Sequence, residues 1–151
     1  MSSKSFFAGL AMLLFISSCG GDRKYEEFHS FDSDSWHERD SVTFDLSSLK
    51  EKDGTSLIGI RFTESFPFSN CYIRVISEDS TGAVLDNKLI NIPLFDSKSG
   101  RPKGSGFGNS YTFYDTLPFP MDKKVSKLVY LQYMRQENIS GVEAVGLKIV
   151  K

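Results

Sequence analysis

The apolar residues of this chain recur at every second position in short runs, and this pattern constrains the fold more than any other feature. Apolar and polar side chains alternate in residues 42–46, 57–62, 72–77, 127–134 and 142–150. Alternation of period two predicts strands with one buried face. The body of the chain shows no long segment with the helical spacing of apolar residues, so we expect an all-β protein.

Turn-forming residues separate these runs and set the expected architecture. Asp53-Gly54, the Gly- and Ser-rich segment 96–110 and the prolines of residues 118–124 interrupt the strand patterns. Thirteen Phe and six Tyr further favour strands. Short strands spaced by about a dozen residues predict an antiparallel β-sandwich of about eight strands, either jelly-roll or immunoglobulin-like.

The N-terminus reads as an export and anchoring signal. Lys4 supplies a positive start, residues 6–16 are uncharged and apolar or small, and Ser17-Ser18 precede Cys19. A cysteine in this place resembles the bacterial lipobox, so we expect a lipoprotein signal peptide over residues 1–18 and acylation, for example by palmitate, at Cys19. The apolar run is shorter than the ~20 residues that span a bilayer. The alternative is an ordinary cleaved signal with an incidental cysteine.

The mature chain is then divided into a tether and one domain. Residues 19–24 are small and polar after the cysteine and are expected to be a lipidated tether. Residues 25–151 are expected to form the sandwich domain, with an opening segment that is ordered by aromatic side chains. The formal net charge of −1 provides no basic footprint for nucleic acid.

The titratable residues give little support to catalysis or to a cofactor. No nucleophile elbow or phosphate-binding glycine loop is present. His29 and His37 lie among acidic residues, but their spacing matches no metal motif, and a solvated loop explains them. Cys71 opens a strand-like run and is expected to be a small buried hydrophobe. We therefore expect neither an enzyme nor a bound metal or cofactor.

Aromatic residues in loops are the candidate contact site. Phe66 and Phe68 flank Pro67, and Phe107 lies in the glycine-rich loop, so we expect these three side chains to form an exposed patch that binds a partner. The alternative is a platform that stacks on sugar rings, for which Tyr111, Phe113 and Tyr114 are further candidates. The purely structural alternative is that the aromatic residues in strands fill the core.

Several motifs in order suggest a family. They are the lipobox, Tyr25-Glu26-Glu27-Phe28, Trp36-His37, Phe66-Pro67-Phe68-Ser69-Asn70, Lys103-Gly104-Ser105-Gly106-Phe107-Gly108, Gln132-Tyr133-Met134-Arg135 and the closing run from Gly141 to Ile149. In this order and spacing the chain resembles the gliding motility lipoprotein GldH family of Bacteroidota. Ala144 departs from the family pattern, in which Asp is usual.

The resemblance implies a non-enzymatic envelope lipoprotein. Such proteins take part in gliding together with other envelope lipoproteins and the secretion machinery, and only Cys19 carries over as a functional residue. Gly20 is not the Asp that favours inner-membrane retention, and no acidic run follows Cys19, so we expect the periplasmic face of the outer membrane. The alternatives are a carbohydrate-binding lipoprotein for glycan uptake and, after it, a hydrolase.

Overall fold

The computed structural model describes residues 21–151, which form eleven strands and a single 3₁₀ turn (Asp32–Asp34). The strands are β1 (Arg23–Ser30), β2 (Ser35–His37), β3 (Val42–Asp45), β4 (Thr55–Thr63), β5 (Asn70–Glu78), β6 (Val84–Pro93), β7 (Ser105–Phe107), β8 (Ser110–Thr116), β9 (Lys127–Gln132), β10 (Asn138–Ser140) and β11 (Val142–Val150). The signal segment and Cys19 lie outside the described residues. Within the described part, no helix has the length and apolar character needed to cross a membrane.

The strands form three antiparallel sheets. One has five strands in the order β1-β11-β4-β8-β7, the second has four in the order β3-β9-β5-β6, and β10 pairs with β2 in the third. The expected all-β antiparallel sandwich is thus confirmed, although the described residues hold more strands than the eight expected.

The core lies between the five-stranded and four-stranded sheets. Ile58, Ile60 and Leu147 on one sheet, and Ile73 and Leu128 on the other, are fully buried. Phe44 packs against Tyr130 with ring centroids 4.9 Å apart. The Tyr130 hydroxyl crosses to the other sheet and donates to the Gly146 carbonyl oxygen at 3.4 Å. The alternation seen in the sequence is therefore the alternation between core and solvent.

The additional strands are those whose sequence does not alternate strongly. β2, β7 and β10 have three residues each, too few for a periodic pattern. β1 is an edge strand with charged residues at Arg23, Lys24, Glu26 and Glu27. It pairs along its length with β11, so the ordered sheet begins at Arg23, within the segment interpreted as a tether.

The two ends of the sandwich differ in what they carry. The proximal end, where β1 begins, also holds the loops between β3 and β4, between β5 and β6, and between β8 and β9. The distal end, where β1 ends, holds the β2–β10 pair and the loops that follow β4, β6 and β9. Because β4 has nine residues, the ends are about 30 Å apart.

Candidate functional site

An apolar groove of about 340 Å³ lies on the outer face of the four-stranded sheet, near the distal end. Its lining residues come from the loop after β4, from β5 and β6, and from the turn after β9: Phe68, Tyr72, Leu89, Tyr133, Met134 and Arg135. We call it the distal groove. Phe68, Tyr72, Leu89 and Tyr133 each expose 39–45% of their surface. A cluster of large half-exposed apolar side chains marks a contact site.

Backbone pairing brings the groove residues together. The Tyr133 amide donates to the Tyr72 carbonyl oxygen at 2.9 Å, which extends the β5–β9 pairing beyond β9. The Tyr72 amide lies 3.1 Å from the Met134 sulfur. Leu89 on β6 pairs with Arg74 on β5. Arg74 is two residues after Tyr72, so Leu89 lies on the same face of the sheet as Tyr72. Three segments distant in sequence thus supply one continuous surface.

Buried Gln132 holds the turn that carries Tyr133 and Met134. Its Nε2 donates to the Gln136 carbonyl oxygen at 2.6 Å, and its Oε1 accepts from the Met134 amide at 2.9 Å. Arg135 adopts a positive φ of 57°, which ordinary residues rarely take. The side-chain amide of Gln132 and the tight turn therefore hold Tyr133 and Met134 in place at the edge of the groove.

The charged residues at the groove are cationic. The Arg74 guanidinium lies 4.7 Å from the centroid of the Tyr133 ring, and its Nη1 donates to Asn87 Oδ1 at 2.8 Å. Arg135 lines the opening, and no carboxylate is among the described residues that line it. The groove therefore suits an apolar segment bearing carbonyl or carboxylate oxygens.

The three aromatic residues predicted as a contact patch do not lie together. Phe66 is 4% exposed and stacks on Phe95 at 6.4 Å, so the expectation that it lies at the surface is wrong. The turn after β4 folds it inward, with its amide bonded to the Thr63 carbonyl oxygen at 3.1 Å. Phe68 is half-exposed in the distal groove, whereas Phe107 is 95% exposed on β7, the edge of the other sheet.

The remaining aromatic candidates for a sugar platform are engaged with the protein. Phe113 and Tyr111 pack against the core, the latter 6.0 Å from Phe62. Tyr114 contacts Phe28 edge to face at 6.2 Å and donates from its hydroxyl to Glu26 at 3.2 Å. These rings do not form an exposed coplanar set, so the glycan-binding alternative gains no support.

The glycines of residues 104–108 serve the fold. A Cβ on Gly104 would lie 2.2 Å from the Thr112 carbonyl oxygen, and one on Gly106 would lie 2.2 Å from that of Ser110. Their missing side chains let β7 approach β8 closely. The glycines predicted a close approach of this segment to another surface, and that surface is the neighbouring strand β8.

The titratable side chains considered in the sequence lie in two places: Cys71 is in the core, and His29 and His37 line a polar cavity of about 550 Å³ together with Asp32 and Asp40. The expectation that Cys71 is buried is confirmed, and burial raises the pKa of its thiol to about 12. His37 Nδ1 accepts from the Arg39 amide at 3.0 Å, and its Nε2 lies 3.4 Å from Glu137. No group of three or more His, Cys, Asp or Glu side chains among residues 21–151 is placed to hold a metal ion.

Comparison with protein families agrees with this architecture. The model of the GldH lipoprotein family matches residues 23–149, from the first residue of β1 almost to the end of β11. The chain belongs to the GldH lipoprotein family. The match coincides with the sandwich, so the shared sequence is that of the folded body. Searches of curated proteins and of solved structures gave no significant match.

As a GldH family member, the chain is a lipoprotein associated with the cell envelope, and the family is not a known enzyme family. The family name links it to gliding motility. Of the residues that line the distal groove, the sequence predicted only Phe68 as a contact residue. Tyr72 on β5 and Tyr133 just after β9 occupy positions that alternation assigns to solvent, and bulky residues there were the available signal.

Proposed function

We propose that this protein is a non-enzymatic part of the gliding apparatus and its linked protein secretion, anchored through acylated Cys19 to the periplasmic face of the outer membrane. Three observations support the proposal: the lipobox-like Ser17-Ser18-Cys19, the family match, and an apolar groove of half-exposed aromatic and aliphatic side chains. The expected partners are other envelope lipoproteins or secretion components, in a bacterium of the Bacteroidota.

A lipid anchor has a physical role in such a function. Each buried methylene contributes ~0.8 kcal/mol, and one acyl chain alone holds a protein only marginally, so a lipoprotein with more than one chain stays at the membrane. Confinement to a layer beside the bilayer raises the effective concentration of the body for its neighbours. A modest contact surface is then sufficient for assembly.

The distal groove is the proposed contact surface, and it carries the functional proposal. Its half-exposed side chains on β5 and β6, Tyr72 and Leu89, lie about 15–20 Å from the end at which the chain enters the sandwich. A partner that is also bound to the envelope can reach this end without competing with the bilayer. Buried aromatic residues at interfaces commonly supply most of the binding energy.

Quantitative pull-down of the tagged, lipidated protein from detergent-solubilised membranes tests the contact surface. In Leu89→Ser combined with Tyr133→Ser, we expect at least a tenfold loss of the captured envelope partners, since interface hot spots are worth about 2 kcal/mol or more. Val84→Ser is the matched control, because Val84 is 57% exposed on the same strand but at the proximal end.

A second comparison separates the groove from the other exposed aromatic residue. Phe107→Ser is expected to leave the captured partners unchanged, because Phe107 lies on the edge of the other sheet. Loss of partners in Phe107→Ser, with retention in the groove variant, would place the contact on β7 instead. Complementation of a gene deletion then tests the role: the wild-type gene restores colony spreading, and the groove variant does not.

A further inference from the structure

The proximal end carries a cluster of lysines around a cavity of about 760 Å³. Its lining residues come from the loop between β3 and β4, the loop between β8 and β9, β1 and the C-terminal residue: Lys24, Lys50, Glu51, Lys52, Asp53, Met121, Asp122, Lys123 and Lys151. We call it the lysine cavity. We propose that it contacts the phosphate headgroups of anionic phospholipids in the membrane that holds the anchor, an inference that rests on the proposed anchoring at Cys19.

The acidic residues of the lysine cavity already have partners. Asp53 and Glu51 lie 3.1 Å and 3.9 Å from the Lys24 ammonium. That ammonium, with smaller contributions from a backbone hydrogen bond and from the charge of Lys123, holds the pKa of Asp53 below its ordinary value. Asp122 accepts from the Lys124 backbone amide at 2.7 Å. These three carboxylates are thus engaged at the rim.

Several lysines of the cavity, by contrast, make no ion pair within 4 Å among the described residues. Lys50, Lys123 and Lys151 are exposed and have no carboxylate within 4 Å among residues 21–151. Lys52 is only 6% exposed, and its ammonium donates to the Val125 carbonyl oxygen without a carboxylate nearby. An ammonium has three protons to donate, so Lys52 keeps donors for an anion that enters the cavity.

The short distance between Cys19 and the start of β1 indicates that this anion is a lipid headgroup. Three residues lie between Cys19 and Arg23, the first residue of β1, and the four Cα-to-Cα steps that join them span at most about 14 Å. The C-terminal residue lies beside the same point, since the Lys151 amide donates to the Asp22 carbonyl oxygen at 2.7 Å. Whatever path the short connection takes, acylation at Cys19 holds the lysine cavity within one to two Debye lengths of the bilayer surface.

Contact with the surface would orient the whole body. Lysines near an anionic bilayer are attracted to it, and this attraction strengthens steeply as they approach to within a Debye length of the surface. With the lysine cavity against the headgroups, the strands stand away from the membrane and the distal groove faces the periplasm. Without that contact, the short connection alone leaves the sandwich free to tilt.

Lysine footprinting by amine acetylation and mass spectrometry tests the proposal on the full lipidated protein. It is reconstituted in vesicles of phosphatidylcholine, with or without phosphatidylglycerol. With phosphatidylglycerol we expect roughly five-fold slower acetylation of Lys50, Lys123 and Lys151, and no change at Lys98 in the distal loop after β6. The difference should vanish at about 1 M salt, where the Debye length is ~3 Å. Equal acetylation in both vesicles would overturn the proposal.

Variants and a soluble anion provide the controls. Lys50→Gln combined with Lys123→Gln should abolish the protection of Lys151, whereas Lys98→Gln combined with Arg101→Gln, in the distal loop, should preserve it. Inorganic phosphate added to the detergent-solubilised protein should protect none of these lysines. Protection by phosphate as strong as that by vesicles would assign the cavity to a soluble anion and overturn the lipid contact.

Flotation of the vesicles distinguishes this proposal from the anchoring on which it rests. Protein that floats with both vesicle types but shows no charge-dependent protection contradicts the headgroup contact alone. Protein that fails to float with either vesicle type contradicts the anchor itself, and with it both proposals.

Discussion

Burial determines the chemistry of the Cys71 thiol. Its side chain is fully buried on the inward face of β5, and no charged group is needed to explain its raised pKa. A thiol kept protonated is a poor nucleophile and a poor metal ligand. The residue therefore contributes packing, as its neighbours Ile73 and Val75 do on the same face.

The raised pKa of Cys71 predicts a loss of stability in alkaline solution. The unfolded thiol ionises near 9, whereas the folded thiol stays protonated to about 12. The contribution of the protonated thiol to the free energy of unfolding is fully present below pH 9 and declines as pH rises from 9 to 12. At pH 10 the loss is about 1 kcal/mol. Urea unfolding at pH 8 and pH 10 measures it.

The matched control for this experiment is Cys71→Ala. Tyr25 and Tyr130 also have raised pKa values from burial, so both proteins lose stability at high pH, but the variant should lose less. Folded wild-type protein should also resist thiol reagents at pH 8. Equal pH dependence in the two proteins, or rapid labelling of the folded thiol, would contradict the burial of this residue.

Two glycines on the outer face of the five-stranded sheet make room for an aromatic ring. Gly146 and Gly59 are paired across β11 and β4, and the Phe28 ring lies over both. A Cβ on Gly146 would come within 2.7 Å of the Phe28 ring and 2.8 Å of the Glu27 carbonyl oxygen. Arg61 completes the stack at 4.9 Å from the ring centroid.

Alanine at Gly146 is expected to destabilise the protein by about 1–3 kcal/mol, because the ring and the β1 backbone must both shift. Urea denaturation measures the free energy of unfolding. Gly21→Ala is the matched control, since a Cβ there meets nothing within 4 Å and its effect should be close to zero. A Gly146→Ala protein as stable as the control would contradict the packing of Phe28.

At the scale of elements, the small β2–β10 sheet is fastened to the rest of the sandwich. Trp36 on β2 is fully buried, stacks on Phe31 at 5.0 Å, and donates from Nε1 to the Asp40 carbonyl oxygen at 2.7 Å. The Phe31 amide bonds to the Glu143 carbonyl oxygen on β11 at 2.9 Å. These contacts join the pair to the five-stranded sheet.

The tryptophan, the only one in the chain, reports on this junction. We expect its fluorescence and the far-UV circular dichroism to change in one coincident urea transition, because the pair and the sandwich share a core. Ile139 on β10 pairs with Trp36 on β2. We expect Ile139→Ala to shift both transitions to the same lower urea concentration and to reduce the free energy of unfolding by about 2–5 kcal/mol. A fluorescence change at lower urea would show that the pair unfolds separately.

Strands could be predicted from the sequence where one face is buried and the other is polar. β4, β5, β9 and β11 satisfy this condition and were expected within a few residues of their observed bounds. β1 does not satisfy it, because an edge strand with charged residues shows little contrast between its faces.

The site was harder to predict than the strands. Phe66 looked exposed beside Pro67, but the turn that follows β4 packs it against Phe95. Tyr72, Leu89 and Tyr133 become one surface only through the pairing of β5 with β6 and β9, and the register of distant strands is not visible in a single sequence.

At the scale of the whole molecule, the two ends of the sandwich carry the two proposed contact surfaces. The short connection to Cys19 and the lysine cavity lie at the proximal end, and the distal groove lies near the opposite one. With the proposed anchor at Cys19, this arrangement places the apolar groove away from the bilayer. It suits a body that contributes a contact surface to an envelope assembly.

The state of Cys19 decides whether this account holds. The direct measurement is the mass of the N-terminal peptide of the protein purified from the envelope fraction. We predict a peptide that begins at Cys19 and carries acyl chains, and a Cys19→Ala protein that retains its leader and bears none. A mature N-terminus at another residue, or an unmodified Cys19 in protein released from the membrane, would contradict the account.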